Sequence, residues 1–481
     1  MNTRVLFLVA GIAALAWSFR NWRKAIQLAL VLVVVEGAVR KWLLPSAQDL
    51  VYFAKDAVLL AAYAGYLGES GRMGRLKGRP PQMLVALLGM AAALGLLQIF
   101  NPRLPSLLVG VLGFKSYFLY APLLVVLPAV FPNDASLFRF LRRYVLIAIP
   151  VGLLAAAQFF SPPDSSLNTY ARGGTESTAT FGSSSFVRVT GTFSYITGFS
   201  TYLLGIAILI LGLLASAGWK LRRQMLVYAA LALTLLGMLM TGSRGPVFSL
   251  VLVFPFYWLL VMRERGSGAM IGRIALGVGL IAAFITYSAP EAAEAFRGRA
   301  SSAQDFGGRV ITPFMAPLDS IQWGGLFGFG IGATHQAAAT LAGSAIPYWT
   351  QGITVEAESG KVMLELGPIG FFLIYMARVY LIFYSFRQAR RLRTRYHRTL
   401  ATACFLFLLA QLPGYVVFDP TAGVLYWFFA GLLMLAIRLD RQAVAAAASA
   451  ETASPVQTRT GPLAGAAYPQ RTWTRSISPR S

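Results

Sequence analysis

Long apolar segments recur along the whole chain, and they constrain its fold more than any other feature of the sequence. A transmembrane α-helix needs about 20 apolar residues, and many of these segments approach that length. Charged residues make up only 12% of the chain, whereas soluble domains carry roughly 25%. We therefore predict an all-α fold: a polytopic integral membrane protein with about 12–13 transmembrane helices.

The apolar segments assign residues 1–440 to a single transmembrane domain. A segment rich in Ala, Ser, Thr and Pro follows, and we predict that residues 441–481 form a disordered cytoplasmic tail. No small-residue cleavage site follows the first segment, so we predict that it is retained as a helix. The predicted spans are 5–19, 25–39, 52–67, 83–100, at least one within 107–131 that is interrupted near Lys115, 145–160, 197–217, 226–240, 246–262, 271–288, 362–386, 402–418 and 422–437.

The basic residues predict the orientation of these spans. Clusters at 20–24, 72–79, 139–143, 220–223, 263–265, 387–398 and 438–441 fall on alternate loops and therefore on one side, which the positive-inside rule makes the cytoplasm. The long polar segments 161–196 and 289–361 then face outward, and the second forms one large periplasmic loop. This rule also accounts for the net charge of +24, so we do not expect nucleic-acid binding.

Cysteine and histidine are scarce. Cys404 is the only cysteine, and the two histidines are His335 and His397. We therefore expect no intrachain disulfide and no cysteine- or histidine-based metal site. Both histidines are interpreted as structural or solvated residues.

Arg244 lies in TGSRGP, a turn-forming sequence between two apolar segments. A guanidinium at the outer face of the membrane presents a fixed fork of donors that matches phosphate oxygens. A snorkelling arginine at a helix end explains the residue equally well. Both interpretations remain open on the chemistry alone.

The stretch 307–370 holds most of the unusual polar residues, beginning with GGR at Arg309. The apolar spacing over 310–323 predicts a short helix. LFGFGIG (326–332) follows no strand and opens no dinucleotide-binding unit, so we interpret it as a tight, close-packed turn. Glu356 and Glu358 precede the next span; each is either a general base or a solvated residue at a helix N-terminus.

Several charged residues lie in or near apolar segments: Glu36, Arg40, Lys55, Asp56 and Lys115. Buried charges in membranes mark functional sites by default, and a proton or ion path would favour a transporter. Pairing on a helix face, as between Glu36 and Arg40, and snorkelling explain most of them.

Four motifs occur in order within this predicted topology: RVTGTFSYITGFSTYL (188–203), TGSRGPVFSLVLVF (241–254), GGRVITPFMAPLDSIQWGGLFGFGIG (307–332) and ESGKVMLELGPIGFFLIY (358–375). Together they resemble the O-antigen ligase and O-antigen polymerase superfamily of bacterial membrane glycosyltransferases. The resemblance covers roughly residues 185–435.

The resemblance implies an inverting glycosyl transfer at the periplasmic face of the inner membrane, without a metal or other cofactor. Its substrates would be glycans carried on undecaprenyl pyrophosphate. By position in the motifs, Arg244 and Arg309 would bind the pyrophosphate, with Arg188 as a third candidate. Guanidinium groups stabilise the growing charge of such a leaving group.

One departure from the family pattern bears on the acceptor. Ligases carry a histidine shortly before the Glu-Leu-Gly that opens the helix after the loop, whereas Glu356 stands near that position. Glu356 or Glu358 then serves as the base, or no protein base is used. The missing histidine favours a polysaccharide polymerase, and EGAVRKWLLP near the N-terminus resembles exopolysaccharide polymerases.

The sequence thus predicts a polymerase of lipid-linked oligosaccharide repeat units. Its partners would be the lipid-linked substrate, membrane lipids, and a chain-length regulator and flippase of the same pathway. A ligase that transfers the glycan to lipid A or to a protein is the alternative within this class. A transporter or flippase of lipid-linked sugars is the alternative from another class, although inverted repeats, which many transporters show, are not visible.

Overall fold

The computed structural model describes residues 3–73, 80–171, 178–181, 186–216, 221–261, 303–342, 353 and 355–453, with isolated residues between 272 and 294. Within these ranges the chain is helical and contains no β-strand; one antiparallel bridge joins Thr180 to Val187. The helices are α1 (Thr3–Arg20), α2 (Trp22–Ala38), α3 (Gln48–Met73), α4 (Gln82–Gln98), α5 (Leu107–Phe118), α6 (Leu123–Val130), α7 (Asp134–Leu146), α8 (Ala148–Phe159), α9 (Ile196–Ser216), α10 (Leu221–Met240), α11 (Arg244–Val261), α12 (Ala303–Gly324), α13 (Ala338–Ala342), α14 (Glu358–Arg391), α15 (Arg395–Ala410) and α16 (Pro420–Ala453).

Five segments of the described chain are long and apolar enough to cross a membrane, and a sixth joins them if the bent pair α5–α6 forms one span. Four shorter apolar helices accompany them in α1, α4, α10 and α11. The prediction of a helical, multi-pass membrane protein is confirmed at this level. The predicted span 271–288 falls on a region where only isolated residues are described.

The break between α5 and α6 differs from the prediction. The helix continues past Lys115 to Phe118, and the chain bends by 47° before α6 begins after Pro122. Proline lacks a backbone N–H and its ring clashes with the preceding turn, so it ends a helix. Lys115 does not interrupt α5, because its ammonium is paired with Asp56 at 2.6 Å.

The C-terminal helix also differs from the prediction. α16 extends to Ala453, so residues 441–453 are helical and the prediction of a disordered tail is wrong for them. This stretch is rich in alanine, the residue with the highest helix propensity. Residues 454–481 lie outside the described part of the chain.

The centre of the bundle is formed by α9, α15 and α16. Most residues of the apolar stretches of α9 and α16 are buried inside the protein. Such helices are apolar on all sides, and a helix of that kind must be surrounded by others or by lipid. Aromatic rings fill the space between them, as where Phe407 stacks on Phe429 with ring centroids 4.1 Å apart.

His397 lies in this packing rather than in solvent. It is fully buried, and its Nε2 lies 2.8 Å from Asp134 Oδ1 while its Nδ1 lies 2.9 Å from Thr394 Oγ1. The side chain therefore joins α7 to the start of α15, which agrees with a structural role for this histidine.

Candidate functional site

The segment 187–197 leads into α9 and contains Arg188, one of the candidate residues; we call it the α9 entry segment. Gly191 has φ of 55° and lies in a bend of this segment. Gln158 fixes that bend, because its Oε1 accepts from Gly191 N at 2.8 Å. Thr192 Oγ1 donates to Val34 O at 2.5 Å. The segment is therefore held against α2 and α8 by both backbone and side-chain hydrogen bonds.

Arg188 and Arg244 meet at one turn beside this segment. Arg188 Nε donates to Thr241 O at 3.0 Å, and Arg244 begins α11 three residues after Thr241. The turn requires Gly242, which has φ of 60° and where a Cβ would lie 2.9 Å from the Phe181 ring. Both arginines are half-buried. Two of the three arginines that the sequence singled out are thus brought to the same place.

Arg309 lies in α12, which begins at Ala303 and therefore earlier than the predicted helix. The predicted helix over 310–323 is confirmed. The placement of the Arg309 side chain lies outside what the structure describes. Along its described length α12 packs on α14, where Ser359 Oγ donates to Pro313 O.

The glycine-rich stretch after α12 is a tight turn that caps a break in α14. The break is at Gly367, where φ is 65° and ψ −176°, and Pro368 follows. Phe329 N donates to Leu364 O at 2.8 Å, and Gly330 N donates to Glu365 O at 3.0 Å. The turn thus satisfies carbonyls that the broken helix leaves free. The interpretation of LFGFGIG as a close-packed turn is confirmed.

Glu365 fixes the far end of this turn. It is fully buried, and its Oε1 accepts from Thr334 N at 2.8 Å and from Thr334 Oγ1 at 2.7 Å. Its Oε2 accepts from Tyr117 OH at 2.9 Å. Since both oxygens are occupied, we assign Glu365 a structural role.

Glu356 and Glu358 have different surroundings. Glu358 is 1% exposed; its Oε1 lies 2.7 Å from Arg378 Nη2, and its Oε2 accepts from Val417 N at 2.7 Å. Glu356 is exposed, and its backbone carbonyl accepts from Tyr415 OH. The two glutamates therefore differ: Glu358 is held in a buried ion pair, whereas the Glu356 side chain is exposed.

Asp419 is a carboxyl group that the sequence reasoning missed. Its Oδ1 accepts from Thr421 N at 2.9 Å and so caps α16, while its buried Oδ2 has no hydrogen-bond partner of good geometry among the described residues. Burial, with a smaller contribution from the Glu358 carboxylate, raises the pKa of Asp419 to about 6. The Thr197 side chain of the α9 entry segment lies beside it. An aspartate before a helix start is usually an N-cap, which hid this second property.

Charged residues at the junction of α2, α3 and α5 form a buried group that we call the corner cluster. Lys55 Nζ lies 2.9 Å from Glu36 Oε2, and Lys115 Nζ lies 2.6 Å from Asp56 Oδ2. Pairing therefore explains these four side chains, as one of the open interpretations held. Two further members belong to a π-helical turn, Val39–Leu43, and face the α9 entry segment: Arg40 and Lys41.

The chain matches no model of a known protein family, and no curated protein is significantly similar to it. Within the described ranges, no group of three His, Cys, Asp or Glu side chains is placed to hold a metal ion.

Proposed function

We propose that the protein is a bacterial inner-membrane polymerase that joins undecaprenyl-pyrophosphate-linked oligosaccharide repeat units at the periplasmic face. The observation that carries this proposal is the convergence of Arg188 and Arg244 on the turn between α10 and α11. Paired guanidinium groups suit the two phosphates of a lipid pyrophosphate, because each offers a planar fork of donors. In this proposal Arg309 contacts the same group from the large loop 289–361, and about 12–13 spans cross the membrane.

The proposed reaction is an inverting transfer. The acceptor hydroxyl oxygen attacks the anomeric carbon of the donor, a glycosidic bond forms, and the bond from that carbon to the pyrophosphate oxygen breaks. The hydroxyl proton passes to a carboxylate, and undecaprenyl pyrophosphate leaves with the bonding electron pair. The arginines stabilise the charge that develops on this leaving group, which is the largest electrostatic demand of the reaction.

Glu356 and Asp419 are the carboxylates best suited to accept that proton. Glu356 is exposed, and the raised pKa of Asp419, about 6, is closer to neutrality than that of an ordinary carboxyl group. A general base works best when its pKa lies near the working pH. Glu358, in this proposal, holds the residues around Val417 through its ion pair with Arg378.

The transporter alternative is less well supported. It expects charged side chains along a path through the bundle, whereas the acidic members of the corner cluster are paired with lysines within it. The ligase alternative shares the donor site and differs only in the acceptor. A flippase and a chain-length regulator of the same pathway remain the proposed partners.

Removal of the arginines tests the donor site. In reconstituted membranes with a lipid-linked repeat unit, we expect Arg244→Ala and Arg309→Ala to lower polymer formation by about 100- to 1,000-fold, the usual cost of losing one such donor. Arg244→Lys keeps the charge but loses the fork, and should recover only part of the activity. Arg23→Ala is the matched control, because Arg23 pairs with Glu69 at the start of α2, whereas the α9 entry segment contacts Val34 near the end of this helix. Normal polymer length in both alanine variants would refute the proposal.

A further inference from the structure

The corner cluster holds more positive than negative charge. Its cations are Arg40, Lys41, Lys55 and Lys115, and its anions are Glu36 and Asp56. Lys55 and Lys115 take the two carboxylates at 2.9 and 2.6 Å. Arg40 reaches Glu36 only at 3.8 Å, and Lys41 has no carboxylate within ion-pair distance among the described residues. Two adjacent cations are therefore left in excess.

Both of these cations are removed from water. Arg40 is 8% exposed and Lys41 5% exposed. Burying a charge without a counter-charge costs several kcal/mol of folding free energy. Two adjacent buried cations are therefore stable only when another group compensates their charge. An anionic ligand would supply that compensation.

Arg40 presents an unused edge of its guanidinium. Its Nη1 donates to Ser194 Oγ at 2.9 Å, and the Tyr52 ring lies 5.2 Å from the guanidinium carbon. Its buried Nε has no hydrogen-bond partner, and no described residue accepts from Nη2. The Nε–Nη2 edge is the fork that binds two oxygens of a phosphate or carboxylate.

Lys41 follows Arg40 in the same π-helical turn and also contacts the α9 entry segment. Its Nζ donates to Thr190 Oγ1 at 3.0 Å and to Gly191 O at 2.7 Å. An ammonium has three donors, so one remains for a ligand. Burial lowers the pKa of Lys41 to about 7, which an incoming anion would reverse.

The position of this pair relates it to the proposed donor site. Arg40 and Lys41 hold residues 190–194 of the α9 entry segment, whereas Arg188 of the same segment holds the turn of Arg244. One short segment therefore has guanidinium groups at two separate points along it.

We propose that Arg40 and Lys41 form a second phosphate-binding site, which takes the pyrophosphate head group of the acceptor lipid. This inference rests on the proposed function: a polymerase of lipid-linked repeat units has two substrates that each carry a lipid pyrophosphate, so it needs two such sites. A ligase whose acceptor is lipid A or a protein would need only one. The presence of a second site would thus distinguish a polymerase from a ligase.

Binding stoichiometry tests the proposal. The purified protein, in nanodiscs of neutral phosphatidylcholine, is titrated with a labelled polyprenyl pyrophosphate. We expect wild type to bind two molecules, and Arg40→Gln to bind one of them about 10- to 100-fold more weakly, the range for losing a charge-assisted hydrogen-bond pair. Arg244→Gln should weaken the other molecule by a similar factor. Arg23→Gln, at the far end of α2, should leave both unchanged.

The variant Arg40→Lys distinguishes a loss of binding from a loss of folding, because it retains the buried charge and removes only the fork of donors. Weakened binding of one molecule in this variant, with unchanged thermal stability, would support the proposal. A single site in wild type that Arg244→Gln abolishes would overturn the second site and leave the proposed function standing. Absence of any binding would overturn both.

Two further titrations identify the source of the phosphate that binds at Arg40. Inorganic pyrophosphate that fills the Arg40 site as tightly as the lipid would assign the site to a free anion and overturn the proposal. Loss of the second molecule in phosphatidylglycerol nanodiscs would assign it to bulk lipid head groups, with the same consequence. Retention of the lipid in both arms supports the proposal.

Discussion

Glu356 and Glu358 stand two residues apart, yet one faces solvent and the other is buried against Arg378. Removing one partner of a buried ion pair leaves an uncompensated charge, which costs about 3–5 kcal/mol. We therefore expect Glu358→Gln to lower the free energy of unfolding by that amount, measured by thermal or denaturant unfolding in detergent. Glu356→Gln is the matched control and should leave stability within about 0.5 kcal/mol of wild type. Equal stability of the two variants would contradict the ion-pair assignment.

The environment of Asp419 predicts how polymer formation depends on pH. A carboxylate base must be deprotonated, and the pKa of Asp419 is raised to about 6 by burial. Polymer formation should therefore fall below pH 6, by about tenfold per pH unit. Asp419→Asn should show lower activity without this acidic limb, and it should fold, since asparagine caps helices as well as aspartate. An unchanged acidic limb in the variant would exclude Asp419 as the base.

At the scale of elements, the break in α14 shows what the sequence can and cannot predict. Pro368 and Gly367 mark an interruption in any helix, and the apolar pattern predicted the span around them. The capping of that break by Phe329 and Gly330 was not predictable, because these residues lie more than 30 positions earlier in the chain. Local patterns indicate where a helix breaks, but not which distant backbone satisfies it.

The glycine turn offers a matched pair of substitutions. Gly328 has φ of 65°, and a Cβ there would lie 2.4 Å from Glu365 O; Gly325 has φ of 63° but open space around it. Gly325→Ala should thus cost about 1–2 kcal/mol for backbone strain alone. Gly328→Ala should cost clearly more, because the turn must also move off α14. Unfolding measurements on both variants test this, and equal costs would show that the turn does not pack tightly there.

At the scale of the whole molecule, the sequence predicted most helices to within a few residues, but not the polar contacts between them. Lys41 and Thr190 lie far apart in the chain and meet only because α2 packs beside the α9 entry segment. The same holds for Glu358 and Val417. Hydrophobic periodicity locates helices because it is local, whereas a site depends on how the helices pack.

The predicted orientation can be measured directly, because Cys404 is the only cysteine and is fully buried. Two exposed positions suit the introduction of a cysteine: Asp164→Cys in the segment 161–171 and Arg391→Cys at the end of α14. A membrane-impermeant maleimide should label the first in intact spheroplasts and the second only in inverted vesicles, as the positive-inside rule requires. Labelling of both from one side would refute the predicted topology.

The length of α16 has a mechanical consequence. Its 34 residues span ~51 Å at the rise of an α-helix, whereas the hydrocarbon core is about 30 Å thick. The excess is a helical rod that continues the buried part of α16 beyond the bundle. Anything attached beyond residue 453 would be carried on a stiff lever, and tilting of that lever would be transmitted to the centre of the protein.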